Sequence, residues 1–111
     1  MKTEKIKENR DFRRIYSKGK SIVDRGVVLY FMPTRRHKLR IGFVCAKKIG
    51  NAVTRNRAKR VMRAAWRQAE QYAYGSYDLL LVSRAVTPKL KSTQLSAAVY
   101  RLLKSAGIIR M

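Results

Sequence analysis

Lys47-Lys48-Ile49-Gly50-Asn51-Ala52-Val53-Thr54-Arg55-Asn56-Arg57-Ala58-Lys59-Arg60-Val61-Met62-Arg63 lies at the centre of a stretch, residues 24–70, whose only acidic residues are its two ends, Asp24 and Glu70. So dense a run of positive charge repels itself unless a polyanion neutralises it, which makes nucleic acid its natural partner. Gly50-Asn51 reads as a turn, and residues 52–72 sort as they would on a helix roughly 30 Å long at about 1.5 Å per residue. At about 100° per residue, Ala58, Val61, Ala65, Ala69 and Tyr72 collect on one side, flanked by Met62 and Trp66. Arg55, Asn56, Lys59, Arg60, Arg63 and Arg67 collect on the other. The first side suits docking on a sheet. The second presents guanidinium forks to phosphate oxygens. The helix N-terminus points at the Lys47-Lys48 loop and adds its dipole and free amides to an anion site there. A merely solvated basic face is the simpler alternative, but solvated faces mix charges of both signs.

Upstream, residues 39–46 read as a strand, the hairpin partner of an earlier one across the polar turn 34–38. Residues 21–32 are rich in β-branched and aromatic side chains (Ile22, Val23, Val27, Val28, Leu29, Tyr30, Phe31), as one strand or two interrupted near Gly26, closed by Pro33. A first helix starts with Asn9 as its cap and ends at Gly19, expected in the left-handed position after a helix. Within it Phe12, Ile15 and Tyr16 make a short apolar stripe. Downstream, Gly75-Ser76 breaks the basic helix, and Tyr-Asp-Leu-Leu-Leu-Val-Ser at 77–83 reads as a buried strand. After Thr87-Pro88 a last helix over 92–106 presents Leu95, Val99, Leu102, Leu103 and Ala106, and Gly107 stops it. The expected class is α+β: a two-layer α/β sandwich in the order α-β-β-(β)-α-β-α, one domain over residues 1–111.

A chain of 111 residues that is 46% hydrophobic can bury one core. Its 27 Lys and Arg against 6 Asp and Glu give a formal charge of +21, which implies strong, salt-dependent affinity for phosphate backbones. Cys45 is the one cysteine, so an internal disulfide and a Cys-based zinc cage are excluded; in an apolar strand it is expected as a small buried side chain. No apolar run of about 18 residues could span a membrane. The charged start shows no signal-peptide pattern, and Glu4, Glu8 and Asp11 argue against a transit peptide, so a cytoplasmic location without membrane contact is expected. Catalytic constellations are missing. His37 stands in a turn beside Arg35, Arg36 and Lys38, and the carboxylates (Glu4, Glu8, Asp11, Asp24, Glu70, Asp78) show no acid–base pair or two-metal spacing. Gly50 alone falls short of a phosphate-cradling glycine loop. On its residues the chain binds nucleic acid and does not itself cut it.

The basic segment closely resembles the signature of the bacterial ribonuclease P protein component, whose hallmark is an Arg-Asn-Arg tripeptide, here Arg55-Asn56-Arg57. The resemblance extends over nearly the whole chain. Asp11, Phe12 and Tyr16 match an Asp-Phe-x-x-x-aromatic helix, and Val28-Leu29-Tyr30 matches a Val-Leu-Tyr strand. Leu39-Arg40-Ile41-Gly42 matches the strand that leads to Lys47-Lys48, and the strand at 77–82 follows the basic helix at the matching place. This resemblance implies a mixed four-stranded sheet with a left-handed crossover, against the usual right-handed preference. It implies a small protein that joins a catalytic RNA to remove the 5′ leader from precursor tRNA. Magnesium ions would be held mainly by the RNA and none by this chain alone, with no catalytic residue on the chain and no obligate protein partner.

By the same resemblance Lys47, Lys48, Arg55, Asn56, Arg57, Lys59, Arg60 and Arg63 face the RNA subunit, with Arg67 joining them on the helix face. Phe12, Tyr16, Val28 and Tyr30 line a cleft between first helix and sheet that holds the single-stranded leader, where bases stack on aromatic faces for about 1–3 kcal/mol each. Phe12, Ile15 and Tyr16 at helical spacing also fit a plain core stripe, and Trp66 fits either the core or a cap over the basic face. Ala58 and Ala46 depart from the larger aliphatic residue and the serine usual in the family, which touches local packing and leaves the charge pattern intact. The main alternative is a structural, ribosomal-type RNA-binding protein with no enzymatic role. A membrane-active helix and a DNA major-groove helix fit less well, because the neighbouring strands give the apolar side a core and the helix lacks a turn-helix companion.

Overall fold

Leu79, Leu80 and Leu81 have no exposed surface at all, and a strand buried on both faces belongs in the middle of a sheet. In the computed structural model, which describes residues 3–24, 26–84 and 91–109, that is its place. The elements are β1 (Glu4–Lys5), α1 (Asn9–Lys18), β2 (Lys20–Asp24), β3 (Val27–Pro33), β4 (Leu39–Val44), a 3-10 turn at Lys47–Ile49, α2 (Ala52–Glu70), β5 (Tyr77–Ser83) and α3 (Ser92–Ala106). They form one mixed sheet in the order β1-β4-β5-β3-β2. β5 runs antiparallel to β3, from Val27 opposite Ser83 to Pro33 opposite Tyr77. It runs parallel to β4, from Leu39 opposite Tyr77 to Val44 opposite Val82.

The α+β sandwich therefore stands, with two corrections to the sheet. The strand count is five, not four: β1 adds two residues parallel to β4, and Ile6 N–H extends the pairing by donating to Ile41 O at 2.9 Å. A two-residue charged strand leaves no pattern in a sequence. Nor do β3 and β4 form a hairpin, because β5 lies between them. The region 21–32 is two strands, β2 and β3, paired antiparallel on either side of residue 26.

Alternation along the strands sorts the two faces. Val27, Leu29, Phe31, Leu39, Ile41, Leu79 and Leu81 join Met62, Ala65, Trp66 and Ala69 of α2 and Leu95, Val99, Leu102 and Leu103 of α3 in the main core. Burying each of these larger side chains is worth about 1.5–3 kcal/mol. Trp66 is thus core. On the opposite sheet face α1 covers only part of the surface, with Ile15 packed on Ile6 and Leu80 and a half-buried fringe of Phe12, Tyr30, Met32, Val44 and Val82.

Four charged side chains fasten α1 to this face. Arg40 donates through Nε to Asp78 Oδ1 (2.8 Å) and through Nη2 to Asp78 Oδ2 (2.9 Å), and its Nη1 is 3.5 Å from Asp11 Oδ2. Arg14 Nη2 reaches Asp78 Oδ2 at 2.7 Å and Asp11 Oδ1 at 3.3 Å. Two positive and two negative groups cancel, which is the condition for burying any of them. The bidentate bond to Asp78 holds the Arg40 guanidinium well above its ordinary pKa.

Element ends differ from expectation in three places. Glu8, not Asn9, stands at the start of α1, without a side-chain cap bond. Gly19 is extended (φ −76°) instead of left-handed; a Cβ there would lie 2.6 Å from Ile15 O and 3.0 Å from Phe31 O, so close approach is what demands glycine. α2 ends at Glu70, and Tyr72 leaves the apolar side to become 45% exposed, edge-on to Tyr100 with ring centroids 5.6 Å apart. The expected turn at Thr87-Pro88 lies outside the described residues.

Candidate nucleic-acid interface

The start of α2 is built by its own loop. Asn51 Oδ1 accepts from Thr54 N–H at 2.9 Å, capping the helix. Ile49 N–H donates to Ala46 O (3.0 Å) and Gly50 N–H to Lys47 O (3.2 Å), closing the turn that leaves Lys47 and Lys48 exposed. Gly50 sits at φ 151°, and a Cβ there would stand 3.0 Å from Thr54 Cβ and Cγ2, so only glycine fits. Arg55 Nη1 donates back to Gly50 O at 3.2 Å, so this half-buried arginine braces the loop as well as adding charge.

Along α2, Asn56, Arg57, Arg60, Arg63 and Arg67 are exposed and Lys59 is half-buried. The six carboxylates are engaged elsewhere. Glu4 bonds Lys38 (2.6 Å), Glu8 bonds Arg10 (2.5 Å) and Asp24 holds Arg101 through two bonds of 2.8 Å. Asp11 and Asp78 sit in the buried cluster, and Glu70 Oε2 accepts from Thr3 N–H (2.9 Å) and Thr3 Oγ1 (2.5 Å). None of these bonds involves residues 47–67, so the basic face keeps a field of one sign.

Beside it, on the α1 side of the sheet, Asn9, Phe12, Tyr16, Phe43, Val44, Cys45 and Lys59 line an open cleft of ≈ 270 Å³. Tyr16 is 39% exposed and meets Tyr30 edge-on at 4.8 Å. Burial, with Tyr30 beside it, raises the Tyr16 pKa, so the phenol stays protonated and able to donate. Gly42 lies under Phe12: a Cβ there would come within 2.7 Å of Phe12 Cε1. Val28 belongs to a neighbouring recess of ≈ 580 Å³ shared with Ala46, Lys48, Ile49, Val82, Ser83 and Arg84. The four expected cleft residues are therefore divided. Phe12 and Tyr16 line one hollow, Val28 the next, and Tyr30 backs Tyr16. Lys59 and Lys48 each reach one of the two hollows, which makes basic loop, basic helix and groove one continuous surface.

Phe43 was not among the residues singled out from sequence; in a strand of alternating apolar residues it reads as core. Cys45 is half-buried at the cleft wall and not deep in the core. Among the described residues no group of three or more His, Cys, Asp or Glu could hold a metal ion, and no helix is long and apolar enough to cross a membrane.

The family model for ribonuclease P matches residues 1–107. The ribonuclease P protein component of Pelotomaculum thermopropionicum is 37% identical over 105 residues, covering 95% of this chain and 94% of that protein. The structure of the Staphylococcus aureus RNase P protein superposes with a TM-score of 0.83 at 31% identity, covering 98% of this chain and 100% of that one. The RNase P protein from Thermotoga maritima superposes at 0.81 with 25% identity, covering 92% and 96%.

Proposed function

The chain belongs to the ribonuclease P protein family, whose members are protein components of the endoribonuclease that matures the 5′ end of tRNA, and from that premise we propose how its surface serves the RNA. The face made by Lys47, Lys48, Asn56, Arg57, Arg60, Arg63 and Arg67 binds the catalytic RNA subunit, with Arg55 holding the loop in register. The cleft of Phe12 and Tyr16, backed by Tyr30 and continued by Val28, grips the single-stranded leader of precursor tRNA. Lys59 stands where the two meet. The continuity of basic helix and aromatic groove through Lys59 is the observation that carries this assignment.

Hydrolysis is assigned to the RNA, with magnesium ions bound mainly there and none by this chain alone. The chain's carboxylates support this, being already occupied by its own cations or by Thr3. The protein's part is to neutralise phosphates where RNA subunit and substrate converge, and to favour precursor over mature tRNA through the leader. Its place of work is the cytoplasm. With about six phosphates contacted, affinity for the RNA falls about 10³-fold between roughly 50 and 200 mM salt.

The test is cleavage of a precursor tRNA by a bacterial ribonuclease P RNA at low magnesium, with and without this protein. Strong stimulation with ends at the mature 5′ position is expected. Folded protein that stimulates no RNA subunit type would return the chain to a structural RNA-binding role.

A further inference from the structure

Beyond the end of β1, which pairs with Arg40 and Ile41, no strand among the described residues pairs with this edge of β4. Phe43, two residues on, forms one wall of a recess of ≈ 190 Å³ between this edge and α2; the other walls are Lys5, Arg63, Trp66 and Arg67. Lys5, Arg63 and Arg67 are cationic, and no wall residue is acidic. The Arg63 guanidinium carbon lies 5.9 Å from the centre of the Phe43 ring. Trp66 has no exposed surface, yet among the described residues its indole Nε1–H finds no acceptor. A buried indole N–H is normally paired.

We propose that this recess holds one unpaired nucleotide of the catalytic RNA subunit. Its base stacks on Phe43 and its phosphate lies among Lys5, Arg63 and Arg67, beside Trp66. The volume is below the roughly 300–1,000 Å³ of pockets for drug-sized ligands and suits one planar ring system. The cations select a polyanion, and an aromatic wall selects a base that is out of its helix. The RNA subunit is the source because Arg63 and Arg67 lie on the face assigned to it; Phe43 also borders the leader cleft, but α1, which shapes that cleft, contributes nothing to this recess. The proposal rests on that assignment of the basic face.

Phe43→Leu tests it, since leucine keeps apolar bulk and removes the stacking face without touching charge. Affinity for the RNA subunit is measured across a salt series, together with the fluorescence of Trp66, the one tryptophan. Expected are about tenfold weaker binding with an unchanged salt slope, and less quenching of Trp66 by the RNA subunit than in the wild type. A variant that melts like the wild type and binds the RNA subunit as tightly overturns the proposal. So does a loss confined to precursor tRNA carrying its leader, which would make the leader the occupant. Arg60→Ala, outside the recess, separates this from failure of the parent assignment. If Arg60→Ala weakens binding while Phe43→Leu is silent, the recess alone is wrong; if Arg60→Ala is silent too, the basic face is wrong. Should Phe43→Leu melt early, Lys5→Ala carries the test: a salt slope lower by about one is expected, and an unchanged slope overturns the proposal.

Discussion

Gly42 decides where Phe12 sits. A Cβ at this position would press on Phe12 Cε1 at 2.7 Å and on Leu80 Cδ2 at 2.8 Å, and Leu80 is fully buried, so the ring of Phe12 must yield. Gly42→Ala is expected to cost about 1–3 kcal/mol of stability, the usual range for overpacking, and to raise the dissociation constant of the holoenzyme for precursor tRNA. Thermal melts and binding to precursor and mature tRNA check both; equal losses for the two tRNAs would remove Phe12 from the leader groove. Gly42 was visible in the sequence as a strand residue, but its partner was not, because a contact between residues 12 and 42 across a sheet face leaves no periodic trace. Gly19 shows the converse. Glycine was foreseen, and its cause was misread, since a left-handed turn and a crowded extended one ask for the same residue. Asp78 carried a usable signal: one charge inside an otherwise apolar strand implies a buried partner, and Arg40 on the adjacent strand is that partner.

At the level of elements α2 was the most legible, because a 19-residue helix repeats its two faces several times, whereas its Asn51 cap was hidden inside what reads as a plain turn. Asn51→Ala is expected to cost about 1 kcal/mol, read as a lower melting temperature, and to loosen the Lys47-Lys48 turn that leads into the helix. Lys48→Ala with Arg60→Ala should lower the salt slope of RNA-subunit binding by about two while melting like the wild type. An unchanged slope would mean that these side chains touch no phosphate. Strand partnership was not legible: the sequence left 21–32 open as one strand or two, and the pairing of β2 with β3 comes from the structure. The polar turn at 34–38 suggests a hairpin, but β5, buried without a break from Asp78 to Leu81, takes the place between β3 and β4. Tyr72 fits the helical stripe and still escapes it, since the helix stops two residues earlier.

For the molecule as a whole, the buried cluster of Arg40, Asp78, Asp11 and Arg14 ties α1, β4 and β5 together, and beyond the lone charge of Asp78 no single-sequence pattern announces it. Arg40→Met leaves Asp78 with Arg14 alone, and removing one partner of a buried pair costs about 3–5 kcal/mol. In a domain whose total stability is typically about 5–15 kcal/mol, that is most of the margin. Denaturant titration should show the loss, and a near-neutral result would mean that the charges are dispensable. Large net charge adds self-repulsion to the same balance. The central place of β5 also matters while the chain is being made. β4 leaves the ribosome with no neighbour to pair with except the two residues of β1, and β3 has only β2. Both wait until residues 77–83 emerge, by which time the whole acid-free stretch has been extruded beside ribosomal RNA. Pairings that distant in sequence close late, so a chain cut short before Tyr77 is a sticky polycation whose strand pairs lack the centre that joins them, and a usable nascent chain depends on the arrival of β5.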